Sequence, residues 1–188
     1  MAQSTSRWLA ALLLGALAAP APATEWPVST GSVVEFTASI TGGSFVARSE
    51  KVSGRVAAAG PGGAVPELVV VVDAASFETG INLRDEHLRA KYLEADKFLE
   101  LRFQAPAPPL TAKVGSEVTL NGTLNVKGVS RPLQARAKVE ASSPGELVAT
   151  ARFKVDITQF GIPRPGFAVV RMDPVVEVSV RIVLKRSP

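Results

Sequence analysis

Along most of the chain, apolar and polar residues alternate with a period of two, the pattern of a half-buried strand. In Ser32 to Ile40, the residues Val34, Phe36, Ala38 and Ile40 share one face and Glu35, Thr37 and Ser39 the other. Near the C-terminus, Val176, Val178, Val180, Ile182 and Leu184 alternate with Glu177, Ser179, Arg181 and Lys185. Leu68 to Val72 is instead a short continuous apolar run rich in β-branched residues, which predicts a strand covered on both faces.

Asn121-Gly122 is a hairpin dipeptide by composition, but parity puts Val118, Leu120, Leu124 and Val126 on one face through Gly122. One strand is therefore predicted from about Glu117 to Val126, with the reversal at Lys127-Gly128-Val129-Ser130. The next strand turns Leu133, Ala135, Ala137 and Val139 inward and Gln134, Arg136 and Lys138 outward. Pairing Val126 with Leu133 then sets Leu124 opposite Ala135, Gly122 opposite Ala137 and Leu120 opposite Val139. The inward face so built contains Gly122, Ala135 and Ala137, followed by Ala149 and Ala151 beside Leu147, Phe153 and Val155. Because close-packed interiors tolerate few voids, small residues in a row predict either a cavity or a filling element: the helix, or large side chains from facing strands.

Leu83 to Leu99 is the clear helical stretch. Asn82 can serve as N-cap with Asp85 three residues on, and Leu88, Tyr92, Ala95 and Leu99 fall on one side. An amphipathic helix crossing between strands is expected. Gly60 to Gly63 and Pro106 to Pro109 predict loops, and no internal repeat or second-domain linker is visible.

The chain has 188 residues, enough for one domain with its own core. Residues Met1 to Arg7 carry one positive and no negative charge, Trp8 to Ala19 form an uncharged apolar run, and Ala21-Pro22-Ala23 supplies a small-x-small cleavage pattern. Residues 1–23 therefore predict a secretory signal peptide, with a folded domain over residues 24–188 in the periplasm or outside the cell. The apolar run is short against the ~20 residues a spanning helix needs, so no stable membrane span is expected after cleavage.

The formal charge of +4 includes Arg7, and the basic residues are spread singly along strands. That spacing argues for solvated strand faces and against a nucleic-acid surface. With no cysteine, disulfides, zinc–thiolate sites and cysteine nucleophiles are excluded. The lone histidine, His87, is flanked by Asp85 and Glu86, but an Asp two residues away on a helix lies on the wrong side to pair with it. Neither a phosphate-binding glycine loop, a Gly-x-Ser-x-Gly elbow nor a His-Glu-x-x-His motif is present. No catalytic residue, metal or cofactor is expected, and the chain reads as a non-enzyme.

The stretch Asp73-Ala74-Ala75-Ser76-Phe77-Glu78-Thr79-Gly80, then Arg84-Asp85-Glu86-His87-Leu88, then Phe98 and Phe103, resembles the YceI-like family of periplasmic polyisoprenoid-binding proteins. So do Gly122-Thr123-Leu124-Asn125-Val126-Lys127-Gly128-Val129-Ser130-Arg131-Pro132 and the later Phe160-Gly161. The resemblance runs from about Ser32 to Leu184. It departs at Ile40-Thr41-Gly42, where family members often carry a histidine, and in the tail around Ile162 to Pro165 and Met172 to Pro174.

What the resemblance implies is a mainly β protein: an antiparallel, lipocalin-like barrel of about eight strands with one amphipathic helix, enclosing a tunnel for a long isoprenoid chain or isoprenoid quinone. A closed barrel of that size is wide enough for one ligand. Resemblance and parity together select Phe36, Phe45, Leu88, Tyr92, Phe98, Phe103, Leu124, Phe153 and Phe160 for the tunnel. The match to the family's Arg-Asp-x-His-Leu motif selects Arg84, Asp85 and His87 for a polar head, with helix capping by Asp85 and surface pairing of Arg84 as the structural alternative. Two rivals stand beside a lipid carrier. One is an envelope stress-response or interaction protein with a packed barrel, acting through loops such as Ile162 to Met172 with an exposed Phe167. The other is an enzyme using His87. A homodimer is left open.

Overall fold

The computed structural model describes residues 25–57, 66–167 and 170–186. The expected signal peptide and the expected loop at Gly60 to Gly63 lie outside the described residues. Ten strands form one sheet: β1 (Glu25–Pro27), β2 (Val33–Ile40), β3 (Gly43–Ser49), β4 (Val52–Ala57), β5 (Glu67–Asp73), β6 (Glu100–Pro106), β7 (Glu117–Val126), β8 (Val129–Ser142), β9 (Glu146–Asp156) and β12 (Val175–Lys185). Between the last two, β10 (Gly166–Phe167) and β11 (Val170–Arg171) make a separate two-stranded ribbon.

The sheet runs β1-β4-β5-β6-β7-β8-β9-β12-β2-β3 with every neighbouring pair antiparallel. This is the mainly β, lipocalin-like fold expected, curled into a half-barrel. Ten strands stand where the resemblance implied about eight, and one of them, β1, has three residues, too few for alternation to mark it. The curl brings both ends of the sheet into further bonds. Val28 bridges to Leu184 of β12. The outer edge of β3 is occupied by Glu78, whose N–H donates to Arg48 O at 2.9 Å while Arg48 N–H donates to Glu78 O at 2.8 Å. Both tips of the sheet are thus bonded, which limits the edge exposure that invites association.

The strand faces follow the alternation. Val176 and Leu184 are buried in β12 as the alternation predicts, with Val183 buried on the opposite face, and Leu68, Val69, Val70 and Val72 are buried in β5, which is covered on both faces as its continuous apolar run predicts. Asn121-Gly122 lies inside β7, which runs over the residues expected. The register of β7 on β8 does not. Val126 pairs with Val129, Leu120 with Ala135 and Gly122 with Leu133, four positions away from the expected pairing on β8. The cause is the turn. Lys127 (φ 51°) and Gly128 (φ 74°) both take the left-handed conformation, giving the two-residue hairpin turn that matches strand twist instead of a four-residue reversal.

The helix is shorter than expected. Asn82–His87 is α-helical (α1) and Leu88–Leu93 continues it as a π-helical segment. Glu94, at φ 48°, ends it, and Leu99 is exposed on the chain beyond. Asn82 is not the N-cap. Ile81 occupies that position and, having no polar side-chain atom, makes no cap bond, while the Asp85 carboxylate is bonded to Thr79.

Candidate functional site

The half-barrel holds a cavity of about 620 Å³, within the several-hundred Å³ range of small-molecule sites. Its walls are the inward residues of the strands: Val34 and Phe36 on β2, Val70 and Val72 on β5, Leu101 and Phe103 on β6, Leu124 and Val126 on β7, Phe153 and Val155 on β9, and Val176, Val178 and Val180 on β12. Period-two alternation puts these side chains on one face, and the curl of the sheet turns that face onto itself. Aromatic contacts brace one side: Phe36 packs in a tilted arrangement 5.5 Å from Phe77 and meets Phe45 edge-on at 6.5 Å.

Polar groups are confined to one side of the mouth. Among the described lining side chains, the nitrogen and oxygen atoms belong to Arg84, His87, Lys91 and Tyr92, all within the single helical segment from Asn82 to Leu93. His87 and Lys91 are exposed, as are Ile81 (54% accessible) and Leu83 (62%), two apolar residues that also line the cavity. The mouth therefore opens beside the helix; Pro165 and Gly166, at the entry to β10, also line the cavity.

Arg84 is fixed in place. Its Nε donates to Thr79 Oγ1 at 2.8 Å and its second guanidinium nitrogen to Thr79 O at 3.0 Å, and the guanidinium lies 4.2 Å over the Phe45 ring. A cation held over an aromatic face at that distance is attracted by the ring quadrupole. Asp85 is buried and turned the other way. Its Oδ1 accepts from Thr79 N–H at 2.8 Å and from the Thr79 hydroxyl, and it faces an outer groove with Asn82, Glu86 and Arg89. Thr79 is thus gripped by both residues, which fasten the segment after β5 to the helix.

Of the residues chosen from sequence for the tunnel, the structure brings Phe36, Phe45, Leu88, Tyr92, Phe103, Leu124 and Phe153 onto the cavity wall. Two do not line it. Phe98 packs on the β7–β8 turn, its ring 3.1 Å from where a Cβ on Gly128 would sit; with the helix ended at Glu94, Phe98 falls on the chain that follows. Phe160 is buried in the core cluster with Val34, Phe77 and Leu93, behind the wall. Of the head-group residues, Arg84 and His87 stand at the mouth and Asp85 does not. The side chain of Phe167 lies outside what the described residues cover. Sequence reasoning missed Ile81, Leu83 and Lys91 at the rim. Lys91 was one of several singly spaced basic residues, and nothing local marks an apolar residue as exposed.

The small inward residues have both expected outcomes. Gly122 leaves room for Phe103 of the adjacent strand, whose Cζ lies 2.6 Å from where a Cβ on Gly122 would be. Ala135, Ala137, Ala149 and Ala151 line a second cavity of about 120 Å³ in the barrel, with Pro108, Pro109 and Leu110 also in its wall. Among the described residues, no group of three or more His, Asp or Glu side chains is placed to hold a metal ion.

The YceI-like domain matches residues 27–184 of the chain. Among solved structures, a polyisoprenoid binding domain from Saccharophagus degradans implicated in plant cell wall breakdown superposes with a TM-score of 0.75 at 18% identity, covering 88% of this chain and 100% of that one. BcnA from Burkholderia cenocepacia gives a TM-score of 0.65 at 18% identity, covering 81% and 95%. The YceI protein of Campylobacter jejuni gives 0.57 at 17% identity, covering 76% and 84%. At these identities the likeness is one of fold. No match was found among curated proteins.

Proposed function

Since the chain belongs to the YceI-like domain family, we propose that it is a binding protein of the cell envelope that holds one long-chain apolar lipid, a polyisoprenoid or isoprenoid quinone, inside its barrel. The observation that carries this reading is the distribution of polarity in the 620 Å³ cavity: among the described lining side chains the polar atoms come only from the helical segment, from Arg84, His87, Lys91 and Tyr92, and the rest are apolar. A ligand suited to such a site has a long hydrocarbon tail and a small polar end. The tail gains about 0.8 kcal/mol for each CH₂ removed from water, and the end stays beside Arg84, His87 and Lys91.

The similar fold of a domain described as polyisoprenoid binding agrees with this. A cavity of that size speaks against a packed barrel that acts only through its loops. His87 stands at the mouth without a hydrogen-bond partner among the described residues, and a binding role rather than catalysis suits it. Export to the periplasm is supported by the apolar N-terminal run with its cleavage pattern. No described helix is long and apolar enough to cross a membrane.

The test is uptake of a polyprenol by delipidated protein, followed by native mass spectrometry, with Leu124→Trp as the blocked variant. Stoichiometric uptake by the natural protein, lost in the folded variant, is the expected result. Equal uptake by both places the lipid elsewhere, and uptake by neither overturns the proposal.

A further inference from the structure

The lumen is divided. The 620 Å³ upper cavity and the 120 Å³ lower one share four lining residues, Val70, Phe103, Phe153 and Val180. Val70 and Phe103 are register partners on β5 and β6. Phe153 and Val180 come from β9 and β12, which pair with each other on the other side of the lumen, separated from β6 by β7 and β8. Four side chains, two of them phenyl rings, thus form a collar across the interior.

The collar is built into the wall. Gly122 stands beside Phe103 on β7, and any side chain there would strike the Phe103 ring at 2.6 Å and the Gln104 carbonyl oxygen at 2.3 Å. A glycine inside a strand marks a close approach of neighbouring atoms, and here it seats the Phe103 ring. Beyond the collar, the lining of the lower cavity includes Ala135, Ala137, Ala149 and Ala151 together with Pro108 and Pro109.

We infer that the Phe103–Phe153 collar is the chain-length stop of the site, selecting a tail that ends at the collar instead of running the whole barrel. The inference rests on the lipid-carrier reading. A 150 Å³ apolar cavity accommodates benzene, so each carbon takes ~25 Å³. On that scale the upper cavity holds roughly 25 carbon atoms, about five isoprene units, and the lower one about one unit more. The preferred cargo is therefore a mid-length isoprenoid with its polar end at the helix, while longer chains leave their excess outside the mouth.

The experiment measures the affinity of the delipidated full-length protein for polyprenols of three to eight isoprene units by native mass spectrometry. In the natural protein, affinity should tighten at least ~tenfold per added unit while tail is still being buried, then level off near five units. In Phe103→Ala the plateau should move at least one unit longer, and in Phe103→Ala/Ala151→Leu, which refills the lower chamber, it should move back. Phe103→Leu, which keeps an apolar side chain at the collar, serves if the alanine variant does not fold. Affinity that still tightens through eight units in the natural protein, or a plateau unmoved by the collar variants, overturns the stop and leaves the carrier reading standing. No binding at any length overturns both.

Discussion

Glu94 and Lys127, the two described non-glycine residues with positive φ, are held to each other by an ion pair of 2.5 Å. Left-handed backbone costs an ordinary residue roughly 1–2 kcal/mol. One of these positions ends the helix at the cavity mouth, and the other opens the β7–β8 turn. The pair therefore ties the helix carrying Arg84, His87 and Lys91 to the sheet, at two points where the backbone is already committed to an uncommon conformation.

That pairing makes stability depend on pH in a definite direction. The Lys127 ammonium, and secondarily that of Lys97, holds the Glu94 carboxyl below its ordinary value of 4.5. The stabilisation is present in full above that value and is lost as pH falls through the lower, folded-state value. Glu94→Gln should have a lower urea midpoint than the natural protein at neutral pH, with the gap closing as the solution is acidified below 4.5. A gap that keeps its full size through that descent would show the pair to be without effect.

Asp85 distinguishes a structural role from a ligand role. It accepts from the Thr79 N–H and hydroxyl, and hydrogen bonds to charged groups are worth about 1.5–3 kcal/mol. Asp85→Ala, which removes the acceptor altogether, should lose stability on that scale in chemical denaturation while polyprenol affinity stays the same. Weakened binding with unchanged stability would return Asp85 to the head-group site.

Gly122→Ala places a methyl group against the Gln104 carbonyl, a backbone atom that cannot swing aside, and against the Phe103 ring. Overpacking of this kind costs about 1–3 kcal/mol, and the substitution should lower the unfolding midpoint accordingly. A change below ~0.5 kcal/mol, the range of ordinary surface substitutions, would mean that the β6–β7 pair is looser than its register implies.

Ile81 and Leu83 offer exposed apolar surface at the mouth, where a tail would first leave a bilayer. The double substitution Ile81→Ser/Leu83→Ser should slow transfer of a polyprenol from vesicles by about tenfold, since interfacial contact scales with apolar area, while the equilibrium affinity changes less. Unaltered transfer kinetics would place lipid entry elsewhere on the barrel.

The strands were legible because alternation reports directly which side chains face the same way. Val34 and Phe36, or Val176, Val178 and Val180, could be placed on one wall from spacing alone. Register was not legible at β7–β8, because Lys127 carries none of the Asn, Asp or Gly chemistry that marks the first position of such a turn. The helix end was hidden for the same reason at Glu94, and with it the fates of Phe98 and Leu99. The row of small residues did point to space in the barrel, but the division of that space depends on which side chain lies beside Gly122. That is a cross-strand contact, set by register. The rim residues Ile81 and Leu83 escaped because exposure of an apolar side chain is decided by tertiary structure.

The most direct measurement is organic extraction and mass spectrometry of the protein isolated without detergent from the cells that make it. One molecule of an isoprenoid or isoprenoid quinone per protein chain is the predicted result. A protein that yields no lipid on extraction, and also takes up none when polyprenols and fatty acyl chains are supplied, would contradict the account.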